Sequence, residues 1–227
     1  MKKILLAACC CLAIQRAVAA DEISRDTIRR NGYTLIFVNK DGNFATAGTA
    51  IRERMIRAFF QVYPKLAKTY NKATLKQVTF VMDPAYDGVA ATDNGVVTYS
   101  PKWMLRQPTD LDVVTHEVMH IVQDYKQSVG PGWLTEGIAD YARYQFGIDN
   151  AGAKWALPDY KPGQHYTNSY RITARFLAWL EAHRKAGIVV TLNKSLFDHT
   201  YQDSIWKRET GSALDELWTA YTQSPAL

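Results

Sequence analysis

Beyond residue 20 the chain has no cysteine: all three, Cys9, Cys10 and Cys11, sit together near the start. That absence excludes a cysteine nucleophile, a thiolate metal site and a disulfide framework from residues 21–227. An excess of one charge is missing too. Lys2, Lys3 and Arg16 fall in the first stretch, and without them 24 basic residues face 22 acidic ones, a formal charge of +2. With no dense basic run either, no nucleic-acid partner is expected. No apolar run approaches the about 20 residues that span a bilayer, so no stable membrane insertion is expected. There is no Gly-x-Ser-x-Gly, and neither Ser169 nor Ser195 has an elbow signature around it, which argues against a serine hydrolase.

What the first twenty residues do contain is a leader. Lys2-Lys3 gives a positive start, residues 4–14 an apolar stretch, and Ala17-Val18-Ala19-Ala20 the small residues of a cleavage site. This pattern predicts a secretory signal peptide over residues 1–20 and a protein of the bacterial periplasm or surrounding medium. Leu6-Ala7-Ala8-Cys9 leaves a lipoprotein signal as the lesser alternative.

The remainder, 21–227, is read as a single domain, with an α+β lobe to about residue 128 and a helical lobe from about 131. Residues 33–38, 77–82 and 96–99 are rich in β-branched and aromatic types and predict strands; Asn94-Gly95 marks a turn before the third. Residues 47–70 carry apolar side chains at helical spacing, with Pro64 expected to kink or split the helix. Further helices are expected over about 111–126, with Asp110 as N-cap, over 133–146 and over 167–185, with 147–165 as loop. Shorter helical pieces are expected near 191–208 and 212–223. Strands first and helices later give an α+β class: a small sheet, one active-site helix, then a mostly helical half.

His116 and His120 are four residues apart, so one helix face carries both, separated by about 6 Å of rise. Both imidazoles can then reach one metal ion. Glu117 lies about 100° around the helix, placed to take a proton from water without ligating the metal. This is the zincin motif, and it implies one zinc ion, although such nitrogen and oxygen ligands also accept cobalt or manganese. The longer zincin pattern would need Gly at 123 and His at 126, where this chain has Gln123 and Lys126. Glu136, sixteen residues past His120 on the next helix, is therefore the expected third ligand. Asp140, one turn further on, is expected to accept the second ring N–H of a ligand histidine, or less favourably to be the ligand itself. A donor for the developing oxyanion is left open among His165, Tyr166 and Tyr170. Val96-Val97-Thr98-Tyr99 is a candidate edge strand for pairing with an extended substrate.

The runs Val113-Val114-Thr115-His116-Glu117-Val118-Met119-His120-Ile121-Val122-Gln123 and Pro131-Gly132-Trp133-Leu134-Thr135-Glu136-Gly137-Ile138-Ala139-Asp140-Tyr141 resemble the plant basic secretory proteins and their bacterial relatives. So do residues 169–177 and the ending from Trp206 to Trp218. The resemblance covers nearly all of the chain past the leader. It implies a gluzincin-like zinc peptidase acting on peptides or proteins, with His116, His120 and Glu136 as ligands, Glu117 as catalyst and Tyr170 favoured as the oxyanion donor. The weak basicity and the bacterial character of the leader mean that a role in plant defence is not carried over. The other class that fits the same residues is a non-catalytic, metal-binding recognition protein on this scaffold.

Overall fold

Two Asn-Gly turns organise the sheet. Asn31-Gly32 and Asn94-Gly95 all have positive φ (51°, 80°, 45° and 78°), the backbone of a type I′ hairpin, which asparagine and glycine adopt at least cost. The first joins β1 (Ser24–Arg30) to β2 (Tyr33–Asn39), with Arg30 opposite Tyr33. The second joins β4 (Ala90–Asp93) to β5 (Val96–Tyr99), with Asp93 opposite Val96. Between them β3 (Gln77–Met82) runs parallel to both β2 and β5, giving a mixed sheet of order β1-β2-β3-β5-β4. The computed structural model describes residues 21–126 and 130–227; the expected leader and the expected lobe boundary near 128 fall outside them.

Helices α1 (Gly42–Ala47) and α2 (Thr49–Tyr70) separate the first hairpin from β3, and α3 (Pro101–Arg106) follows the sheet. Then come α4 (Val113–Gln123), α5 (Gly132–Phe146), a 3₁₀ turn at Tyr166–Asn168, α6 (Tyr170–His183), α7 (Ile188–Phe197), α8 (Ser204–Thr210) and α9 (Leu214–Gln223). The class is α+β, as the sequence implies.

One buried apolar cluster runs from the sheet into the last helices, from Leu35, Phe80 and Tyr99 through Phe59, Val118 and Ile138 to Phe176 and Trp206. Phe59 of α2 meets Phe80 of β3 edge-on, and Phe80 meets Tyr99 of β5 the same way. Burial also explains why Pro64 does not split α2. Phe59, Val62, Tyr63 and Leu66 around it are all fully buried, each apolar side chain contributing roughly 1.5–3 kcal/mol, against a cost of about 3 kcal/mol for an interior proline.

Other expectations need correction. The helix carrying His116 starts at Val113, after Asp112 rather than Asp110. The Asp110 carboxylate is engaged elsewhere, by Trp103 Nε1 at 3.0 Å and Arg143 Nη2 at 2.6 Å. The same helix ends at Gln123 because Asp124 takes a left-handed conformation, φ 40°. The helical pieces expected near 191–208 are α7 and α8, with α7 starting earlier, at Ile188.

Candidate metal centre and active site

Helix α4 is fixed at both ends. The Asp112 carboxylate, fully buried, accepts the backbone N–H groups of Ile148 and Asp149 at 2.7 and 2.6 Å and the Thr115 hydroxyl at 3.2 Å. At the other end Asn71 Nδ2 donates to the Val122 carbonyl and Thr74 Oγ1 to that of Ile121, at 3.0 and 3.2 Å. These bonds satisfy last-turn carbonyls that a helix leaves without partners.

From this helix the two imidazoles turn to one point, and α5 brings Glu136 to meet them. His116 Nε2 and His120 Nε2 lie 3.1 Å apart, and Glu136 Oε2 lies 3.3 and 3.6 Å from them. These three residues form a group that can hold a metal ion. A tetrahedral ion about 2.0–2.1 Å from each ligand sets the ligand atoms about 3.3–3.4 Å apart, and the three separations bracket that spacing.

Each imidazole is oriented through its other nitrogen. His116 Nδ1 is 2.8 Å from Asp140 Oδ1, so Asp140 sits behind His116 rather than in the ligand group. His120 Nδ1 is 2.7 Å from Gln123 Oε1, and Gln123 Nε2 donates to the Thr135 carbonyl at 2.9 Å. Both contacts fix the tautomer that leaves Nε2 free for a metal. Gln123 is a neighbour of the candidate site that sequence reasoning missed; its signal was the i,i+3 spacing from His120, which puts the two on one helix face.

The electrostatics call for a cation. Burial works against a charged His116, but hydrogen bonds to the Asp140 and Glu136 carboxylates and the Glu117 charge outweigh it and raise its pKa to about 10. Burial would also raise the Glu136 pKa, yet its bonds to both histidines hold it well below the usual carboxylate range. The carboxylates of Glu117, Glu136 and Asp140 facing two imidazoles leave a surplus of negative charge that a bound cation would offset.

Glu117 is buried beside the centre, and its Oε2 lies 2.6 Å from the hydroxyl of Thr92 on β4. Here the edge-strand expectation is corrected. β5 is flanked by β3 and β4, so the free edge beside α4 belongs to β4. An open cleft of about 1440 Å³ is lined by Thr92, His116, Glu117, His120, Glu136 and Tyr170.

Of the three candidate oxyanion donors, the cleft includes Tyr170 alone. The Tyr166 hydroxyl donates to Asp215 at 2.7 Å, and His165 bonds Thr167 and packs on Tyr166 and Trp218. The Tyr170 ring lies nearly parallel to that of His116, 18° between planes and 6.1 Å between centroids. The Glu136 charge, with partial burial and the Asp140 and Glu117 charges, raises its phenol pKa above the ordinary value, at which it is already a donor at neutral pH. Its position requires unusual backbone: Ser169 has φ 66°, ψ −179° and Tyr170 has φ 50°. The first is a region that essentially only glycine enters freely, and such strain gathers at functional sites. Close packing of α6 on α5 sets the approach. A Cβ on Gly137, next to Glu136, would fall 2.2 Å from the Thr173 side chain.

Among solved structures the chain is similar to an M1 zinc metallopeptidase from Deinococcus radiodurans, at 17% identity and TM-score 0.46 over 88% of this chain and 48% of that one. It is also similar to a mutant of an M1 zinc metallopeptidase from that organism, at 18% identity and TM-score 0.42, over 89% and 49% of the two chains. The chain thus spans about half the length of each. Among curated proteins none matches it. The BSP family model, described as peptidase of plants and bacteria, matches residues 31–221. The chain belongs to this family of peptidases.

Proposed function

We propose that the protein is a secreted metallopeptidase that hydrolyses peptide bonds with one zinc ion held by His116, His120 and Glu136. The observation that carries this reading is the convergence of His116 Nε2, His120 Nε2 and Glu136 Oε2 at tetrahedral spacing, with a buried carboxylate, Glu117, beside them in an open cleft. Zinc bound there supplies Lewis acidity and makes water acidic enough to act as a nucleophile near neutral pH. Glu117 serves as general base and passes the proton to the leaving amine. Asp140 and Gln123 hold the two imidazoles in register. Tyr170 donates a hydrogen bond to the carbonyl oxygen as negative charge develops on it. The free edge of β4 offers backbone groups to an extended peptide. The pattern of residues 1–20 supports secretion, and no described helix is long and apolar enough to cross a membrane.

The test is cleavage of an unstructured protein or peptide library with and without a chelator. Chelator-sensitive cleavage is expected, with Glu117→Gln lowering kcat about 10²- to 10⁴-fold while keeping the zinc. Metal binding with no cleavage of any peptide would instead favour a recognition protein.

A further inference from the structure

Register assigns the β4 edge of the sheet to particular residues. β4 pairs with β5 with Ala90 opposite Tyr99 and Thr92 opposite Val97. The Ser100 N–H donates to the Val89 carbonyl at 3.1 Å, and Val89 and Ser100 are the next pair in that register. Hydrogen-bonded and non-hydrogen-bonded pairs alternate along an antiparallel ladder. Ala91 and Asp93 therefore direct their backbone groups to β5, and Ala90 and Thr92 direct theirs outward. The Ala90 carbonyl is already taken by the Tyr86 hydroxyl, at 2.9 Å. Thr92 is left as the β4 residue that offers both N–H and C=O to an added strand.

The Thr92 side chain points the other way, to the catalytic helix. Its Oγ1 lies 2.6 Å from Glu117 Oε2 and 3.0 Å from the Glu117 carbonyl. A hydroxyl has one hydrogen to give, and the nearer, charged acceptor makes the stronger bond. One residue therefore touches both the edge that a peptide would pair with and the carboxylate that would take the proton.

We propose that Thr92 is a positioning residue: its backbone sets the register of the substrate strand while its hydroxyl holds the Glu117 carboxylate, so that the pairing and the general base share one anchor. This rests on the peptidase reading above. Thr92→Val keeps shape and β-branching but removes the hydroxyl; Thr92→Ser restores it. The expected result is a kcat for Thr92→Val lowered roughly 10- to 100-fold, with KM changed by less than about twofold because the backbone pairing survives. Zinc content should stay at one per chain, and Thr92→Ser should return most of the loss. Wild-type kcat in Thr92→Val, or a folded, zinc-loaded Thr92→Ser that stays as slow as Thr92→Val, would overturn the proposal. If Thr92→Val does not fold, Thr92→Ala replaces it in the same comparison. A wild-type protein that cleaves nothing refutes the peptidase reading instead. In that case a crystal structure of the valine variant decides: a Glu117 carboxylate that leaves its position supports the anchor, and one that superposes on the wild type refutes it.

Discussion

Helix α4 and the segment leading into α6 meet at the same cleft and are held in opposite ways. In α4 every residue but His120 is buried, and both its ends are tied down, by Asp112 to Ile148 and Asp149 and by Asn71 and Thr74 to its last carbonyls. The segment before α6 is half-exposed and is held by side-chain contacts, with the His165 N–H bonded to Asn168 Oδ1 at 2.7 Å and the Tyr166 hydroxyl to Asp215 at 2.7 Å, and it carries two successive residues at positive φ. Tyr170 at its end is 53% exposed. The difference separates two tasks. The proposed ligands come from regular helices anchored by their buried neighbours, so metal binding needs no strain. The proposed oxyanion donor comes from a turn that stores strain, and the stored cost is the sign that its position is selected for something other than stability.

If that division holds, the two regions can be damaged independently. After Glu117→Gln, the larger effect is expected from Tyr170→Phe, which should lower kcat roughly 10²- to 10³-fold with zinc content unchanged, checked by steady-state kinetics beside metal analysis. Loss of zinc in this variant would mean that the two regions are not separate. Asp140→Asn attacks the other side. It should weaken zinc binding about 10- to 100-fold, measured by competition with a chromogenic chelator, while at saturating zinc most of the activity returns. Smallest is Ser169→Gly, which relieves the φ 66°, ψ −179° backbone. It should raise stability by about 1 kcal/mol, read from the denaturant midpoint. An unchanged or lower midpoint would show that the turn is not strained.

The same contrast governs what the sequence reveals. His116, Glu117 and His120 are legible because a helix turns sequence spacing directly into spatial proximity, and Asp140 follows from Glu136 by the same rule. Strands β2, β3 and β5 are legible from their apolar, β-branched content. β1 is not, because Ser24–Arg30 is exposed along almost all its length and carries no alternation; the Asn31-Gly32 turn was the available signal, the twin of Asn94-Gly95. β4, read in sequence as Ala-Ala-Thr-Asp, is too short and too plain to stand out, yet it owns the free edge beside α4. Gln123 carries only its i,i+3 spacing from His120 as a signal, and that spacing fits a solvated glutamine equally well. The Ser169–Tyr170 backbone is invisible for a further reason: nothing about serine or tyrosine calls for positive φ, so only the surrounding fold imposes it.

The central claim is that His116, His120 and Glu136 grip one zinc ion and leave room for solvent. A crystal structure of the purified protein with anomalous data collected on both sides of the zinc edge tests it most directly. One anomalous peak is predicted, about 2.0–2.2 Å from His116 Nε2, His120 Nε2 and a Glu136 oxygen, with no fourth protein atom bound. A zinc-replete crystal with no peak there, or with a fourth side chain closing the coordination sphere, would contradict it.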